Sequence, residues 1–162
     1  ATFAKDPKTG KVIPAELVKR MNRANDFGKG LLVRRQMVYA AMSLGCYDRD
    51  PAGLSTDVLF SDLVKKYQPF PFVDGTHFQC AFGHLDGYSA VYYTYMWSLV
   101  IAKDLFSQFD KNDLLNPAVP MRYRAAVLAP GGSKPAAKLV EDFLGRPFNE
   151  QAYRAWLNTE VN

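Results

Sequence analysis

The sequence holds few of the residues that build a metal or disulfide framework. In 162 residues there are two histidines, His77 and His84, and two cysteines, Cys46 and Cys80. A disulfide scaffold needs a shorter and more cysteine-dense chain. Both thiols therefore read as reduced, which suits a cytoplasmic setting. Zinc sites commonly take three or four ligands from His, Cys, Asp and Glu, and neither an H-E-x-x-H helix nor a C-x-x-C pair is present. Two histidines seven residues apart with no cysteine beside them make a poor ligand set. No metal is expected to be bound by this chain alone.

Other absences exclude further classes. The longest charge-free apolar stretch, Tyr88 to Ala102, contains Ser89, Thr94, Ser98 and five tyrosine or tryptophan side chains. A membrane-spanning helix needs about 20 mostly apolar residues, so no membrane partner is expected. The opening Ala1-Thr2-Phe3-Ala4-Lys5-Asp6-Pro7 shows no basic segment followed by an apolar one, and so no visible signal peptide. The net charge is +4, from 20 Lys and Arg against 16 Asp and Glu, with no run of five like charges. That gives no electrostatic footprint for nucleic acid. No G-x-S-x-G is present, and nothing beyond residue types supports a Ser/His or Cys/His nucleophile. Ala129-Pro130-Gly131-Gly132-Ser133, followed by Lys134, could cradle an anion with its amides, but the P-loop spacing is wrong and a helix-capping turn fits better.

What is present is apolar material in helical order. The chain is 48% hydrophobic and 14% aromatic, ample for a core. Pro14 can open a helix carrying Leu17, Met21 and Ala24, with Gly28-Lys29-Gly30 as its break. Val33, Met37, Ala41 and Leu44 mark a second helix, with Gly45 placed to close it. Ser55 or Thr56 caps a third, striped by Leu59, Leu63 and Tyr67. Gln68 to Gly75 holds two prolines and a glycine and reads as an extended connector. Short helical pieces follow from about Leu114 and from Val119 to Leu128. Ser133 reads as the cap of a helix with Leu139, Val140, Phe143 and Leu144 on its apolar face, ended by Gly145. Asn149 caps a last helix with Ala152, Trp156 and Leu157. With no repeat and no strand-like alternation, the fold class is all-α.

One stripe carries more information. Tyr88, Tyr92, Tyr95, Leu99, Ala102, Phe106 and Phe109 recur at spacings of 4, 3, 4, 3, 4 and 3, which predicts one long helix from about Tyr88 to Phe109. Its first three members carry hydroxyls and its last four do not. Aromatic stripes are usually core, and Leu99 to Phe109 read so. A buried phenol needs a hydrogen-bond partner, so three on one face, just after a loop with His84, Gly83 and Gly87, read equally well as a polar site.

The run Phe82-Gly83-His84-Leu85-Asp86-Gly87-Tyr88-Ser89-Ala90-Val91-Tyr92-Tyr93-Thr94-Tyr95-Met96-Trp97 resembles the F-G-H-L-x-G-G-Y-x-A-x-Y-Y-x-Y-x-W signature of the thimet oligopeptidase family. That family also includes neurolysin, saccharolysin and bacterial oligopeptidases and dipeptidyl carboxypeptidases. Arg122-Tyr123-Arg124, Val127-Leu128-Ala129-Pro130-Gly131-Gly132-Ser133 and Phe143-Leu144-Gly145-Arg146-Pro147 are similar to later family stretches, as is Lys103-Asp104-Leu105-Phe106. Upstream, Thr9-Gly10, Ile13-Pro14 and Leu17 look like its T-G-x-x-L-P-x-x-L.

The resemblance implies a mostly helical, two-domain zinc endopeptidase that cleaves short peptides in a deep channel. Its zinc is held by the histidines of H-E-x-x-H and a glutamate on the next helix. Residues 1–162 would then be a single helical C-terminal region lacking that zinc-binding helix, with Zn required only in the full-length enzyme. By match, His84 and Tyr95 would donate to the substrate carbonyl oxygen as it becomes an oxyanion, Tyr88 would contact substrate, and Tyr92 would hold substrate or support Tyr95. Gly83 and Gly87 would let the loop close over the peptide. The loop is one residue shorter than the family often has, and Asp86 adds a charge that could select a basic peptide terminus. Expected partners are short peptides and the missing zinc-binding part, with self-association through the apolar surface its absence would leave bare. Two other readings stay open: a non-catalytic helical peptide-binding module, and one subunit of a split peptidase.

Overall fold

The computed structural model describes residues 4–159; Ala1 to Phe3, part of the stretch read for a leader, lie outside the described residues. The described residues contain helices and one isolated antiparallel bridge between Lys5 and Val12, so the chain is all-α as expected. Among the described residues no helix is long and apolar enough to cross a membrane.

Helix α1 spans Ala15–Asp26 and α2 spans Lys29–Tyr47, separated by Gly28 in the left-handed region at φ 69°. Helix α1 buries no residue, and Leu17, Val18 and Met21 stay exposed along it. In α2 the buried positions are Lys29, Val38, Met42, Ser43 and Gly45, while Met37 and Leu44 of the anticipated stripe are exposed. Gly45 does not end the helix. It lies two residues inside the helix end, on the packed face, where an added Cβ would stand 3.0 Å from a methyl of Leu59. The glycine thus lets α3, Thr56–Tyr67, pack closely on α2. Ser55 caps α3 as expected, accepting from the Val58 amide at 3.3 Å.

The first core forms where α2, α3 and the following turns meet. Val38, Met42, Phe60, Phe82 and Tyr92 are its buried members, with Tyr39, Leu59, Phe72 and Phe78 packed around them. Its rings interlock: Tyr39 stacks on Phe78 at 4.7 Å between centroids, and Phe82 meets Tyr92 edge-on at 5.1 Å.

The long helix anticipated from Tyr88 to Phe109 is not one helix. It is divided into α4, His84–Tyr88, a 3₁₀ turn over Val91–Tyr93, and α5, Thr94–Phe106. Ser89 interrupts it with φ 48° and ψ −122° and is the one non-glycine residue of positive φ among those described. Periodicity counted the sequence spacing correctly and could not register this reversal.

A second core lies beyond α5. It joins α6, Ala118–Tyr123, the π-helical turn Arg124–Leu128, and α7, Ala136–Leu144, whose Leu139, Val140 and Phe143 are buried. The ring of Tyr123 meets that of Phe143 edge-on at 5.3 Å. Gly145 ends α7 in the left-handed region at φ 72°, as expected. Ser133 does not cap α7. It closes the 3₁₀ turn Gly131–Ser133, and Pro135 stands at the cap. Lys134 pairs with Asp142 at 2.5 Å, which occupies the cation beside that turn.

Asp104 of α5 ties this half together. It is 1% exposed, accepts two hydrogen bonds from Arg146 at 2.6 and 2.8 Å, and accepts the Asn149 amide at 2.8 Å. Bidentate Arg–carboxylate geometry of this kind is strong and directional. The arginine holds the Asp104 carboxyl below its ordinary range, against the opposing effect of burial. Asn149 also accepts the Gln151 amide at 2.9 Å just ahead of α8, Gln151–Asn158, but it does not cap that helix as expected: Glu150 stands at the cap, with no side-chain cap bond.

Candidate functional site

The residues singled out in the sequence fall into two groups around α4. His84 and Tyr88 are four apart on that helix, and so share a face. Their face turns toward Tyr92 and Tyr95, which come back past the break at Ser89. The four side chains, with Val91, Thr94 and Ser98, line a cleft of about 290 Å³. Nε2 of His84 and Oη of Tyr95 are 3.3 Å apart. The imidazole lies edge-on to the Tyr92 ring at 5.0 Å, and its centroid is 6.0 Å from that of Tyr88.

The members differ in burial, and with it in what they can do. Tyr92 is a core residue at 9% exposure. Burial, with the neighbouring phenols of Tyr39 and Tyr95, raises its pKa, so it remains a neutral phenol. Tyr88 and Tyr95 are 62% and 54% exposed, so their hydroxyls face open space at the cleft mouth. Tyr92 is therefore a packed floor on which the His84 and Tyr95 rings rest, and His84, Tyr88 and Tyr95 present the free polar atoms.

Asp86 lies elsewhere. Two residues along α4 from His84, it points to the other side and lines a separate cavity of about 300 Å³ with Tyr47, Gln79, Phe82, Gly83 and Leu85. The Gln79 amide donates to the Asp57 carboxylate, which leaves its carbonyl oxygen buried with no partner. Asp57 also binds Nδ1 of His77 at 2.7 Å, and these two hydrogen bonds, His77 first, hold the Asp57 carboxyl below its ordinary range.

Gly83 and Gly87 take helical, not left-handed, backbone; Gly83 has φ −56° and ψ −17°. The sharp bend expected of a glycine falls on Ser89 instead. At both glycines the space an added Cβ would enter is empty to 4 Å, which leaves that side open to an approaching molecule.

Two residues that pattern reading passed over hold the loop. Ser43 Oγ donates to the Ser89 carbonyl at 2.5 Å, and Tyr47 Oη donates to the Leu85 carbonyl at 2.5 Å. Both lie on α2, four residues apart, more than thirty-five residues upstream of the atoms they bind. A serine in an apolar helix and a tyrosine at its end carry no local signal; only the pairing of α2 with the loop shows their use.

The residues described contain no group of three or more His, Cys, Asp and Glu that could hold a metal ion. Its two histidines stand apart, His77 bonded to Asp57 and His84 to Tyr95. The donor set present does not fit the zinc that the resemblance implies.

Comparison with known proteins bears on what this cleft is. The family model described as Peptidase family M3 matches residues 1–159. The chain belongs to peptidase family M3. It is 34% identical over 145 residues to a protein named thimet-like oligopeptidase from Dictyostelium discoideum, covering 88% of this chain and 22% of the relative. It is 32% identical over 153 residues to one named probable cytosolic oligopeptidase A from Arabidopsis thaliana, covering 90% and 22%. It is 30% identical over 142 residues to human mitochondrial intermediate peptidase, covering 88% and 20%. This M3 chain thus spans 20% to 22% of the length of these curated relatives. Their names span the cytosol and organelles, so membership of the family does not fix a compartment.

Proposed function

We propose that this chain supplies one wall of the peptide channel, and the donors that stabilise the oxyanion, in an M3 oligopeptidase acting on short peptides. The observation that carries the reading is the approach of His84 to Tyr95 in a cleft floored by Tyr92. Two hydrogen-bond donors converge there beside open space. A peptide carbonyl oxygen placed between them would accept from Nε2–H of His84 and from the O–H of Tyr95. As the carbon turns tetrahedral and charge builds on that oxygen, both bonds strengthen, and this is the differential binding that speeds reaction. The 3.3 Å bond between the two groups would give way as both hydrogens turn to that oxygen.

Tyr88, at the mouth, would bind the peptide backbone through its exposed hydroxyl. The empty space at Gly83 and Gly87 would allow backbone-to-backbone approach. In the family resemblance the metal supplies the activated water. Its ligands are not in this chain, and the roles assigned here are those of binding, orienting and donating.

Asp86 faces the second cavity, away from His84. Its carboxylate would suit that cavity to a cationic group, such as a basic peptide residue.

The test is replacement in the M3 peptidase that carries this segment. His84→Ala and Tyr95→Phe should each lower kcat by about 10²–10³ with little change in KM. Unchanged kcat in both variants would overturn the reading. Peptide binding without turnover in the wild-type protein would favour a binding module instead.

A further inference from the structure

The break that separates His84 and Tyr88 from Tyr92 and Tyr95 lies in backbone that L residues rarely adopt. Ser89 has φ 48° and ψ −122°, a conformation normally left to glycine. Such backbone persists only where its surroundings over-determine it, and it gathers at functional sites. One buried side chain bonds directly to the backbone here. Ser43 Oγ donates to the Ser89 carbonyl at 2.5 Å and accepts the Tyr92 amide at the longer distance of 3.5 Å. One hydroxyl therefore grips the chain on both sides of the bend. Only a group that both donates and accepts at a single atom can do this.

Ser43 is itself well anchored. It is 1% exposed, so water does not compete for its hydroxyl. Its neighbours Val38, Met42 and Gly45 form the buried face of α2. One turn on, Tyr47 holds α4 through the Leu85 carbonyl. Helix α2 thus presents two hydroxyls to the loop, one at α4 and one at the bend.

We propose that Ser43 is the positioning residue of the His84–Tyr95 pair: its hydroxyl fixes the left-handed backbone at Ser89, and so the placement of α4 against α5. The inference rests on the reading of that pair as the oxyanion donors. Ser43 touches no substrate. It acts through the backbone, and loss of its hydroxyl lets the bend relax toward ordinary φ, moving His84 off Tyr95.

The experiment is a double substitution in the M3 peptidase carrying this segment. Ser43→Ala is expected to lower kcat at least about tenfold with KM held within about twofold, since small misplacements of a reacting group are costly. Ser89→Gly alone should leave kcat near wild type, because glycine adopts the bend without strain. The double variant, Ser43→Ala with Ser89→Gly, should recover most of the lost kcat. A hydroxyl that served only the core would lower the melting temperature and gain nothing from Ser89→Gly. Wild-type kcat in folded Ser43→Ala, or no recovery in the double variant, overturns the inference. His84→Ala runs beside these variants. If it too leaves kcat unchanged, the site reading has failed, and the bend is judged by hydrogen exchange at the Tyr92 amide in the 162-residue chain. That amide should be protected in wild type, exposed by Ser43→Ala and protected again in the double variant. Should Ser43→Ala fail to fold, an unprotected wild-type Tyr92 amide overturns the inference and a protected one supports it.

Discussion

Tyr95 Oη lies 3.3 Å from His84 Nε2 although the two residues belong to different helices with a left-handed bend between them. Had α4 and α5 been one continuous helix, positions 84 and 95 would be about three turns apart, some 16 Å along its axis. The bend is what gathers a periodic stripe into one cleft. One consequence is energetic coupling of the two side chains. Combining His84→Ala with Tyr95→Phe should cost less in kcat than the product of the single effects, because each donor works properly only with the other in place. A double-mutant cycle on kcat reads this directly, and strict multiplicativity would show that the two act separately.

The ion pair of Asp104 with Arg146 should govern acid stability. Asp104 has its pKa lowered in the folded chain, first by Arg146. Its contribution is therefore present above the ordinary carboxylate pKa of about 4 and is lost as pH falls through the lower folded value. Asp104→Asn should cost about 1–3 kcal/mol at neutral pH and flatten the melting temperature between about pH 5 and pH 2. Thermal melts across that range check both. An equal acid loss in the variant would assign it to other carboxylates.

Asp86 should affect selectivity and spare the chemistry, since it faces the cavity opposite the His84 cleft. With Asp86→Asn, kcat/KM should fall for peptides bearing arginine and hold for those in which citrulline replaces it. Asp86 is exposed, and an exposed charge contact is worth about twofold to fivefold. Unchanged preference between the paired peptides would remove the proposed cation subsite.

The first core can be tested by truncation. Met42 is fully buried among Val38, Phe60, Phe82 and Tyr92. Met42→Ala should cost about 2–5 kcal/mol. Urea melts followed by circular dichroism measure it, and a cost under about 1 kcal/mol would mean this cluster is not the core.

The bare apolar surface should show in solution. Helix α1 buries nothing, and Phe27, Leu32 and Trp97 are exposed beside it or further along the chain. Exposed patches of this kind seek partners, so light scattering on the isolated chain should report self-association that rises with concentration. A monodisperse monomer would contradict it.

The helical class, the Ser55 and Gly145 caps and the grouping of Tyr88, Tyr92 and Tyr95 were legible in the sequence, because caps and periodicity are local signals. The long helix was not, because φ at a serine leaves no trace in spacing. Gly45 read as a helix end because glycine does that often; here it makes room for Leu59, a fact of the other helix. Asp86 and His84 read as one loop, and their two-residue separation on a helix sends them to different cavities. Ser43 was invisible because its partners lie 46 and 49 residues away.

The most direct test of the account is peptide cleavage with zinc, with and without a chelator, by the 162-residue chain alone and by the same chain joined in one polypeptide to the remainder of an M3 relative. The account predicts no turnover from the chain alone, and chelator-sensitive turnover from the joined protein that falls about 10²–10³ with Tyr95→Phe. Chelator-sensitive cleavage by the chain alone, or a joined protein indifferent to Tyr95→Phe, would contradict it.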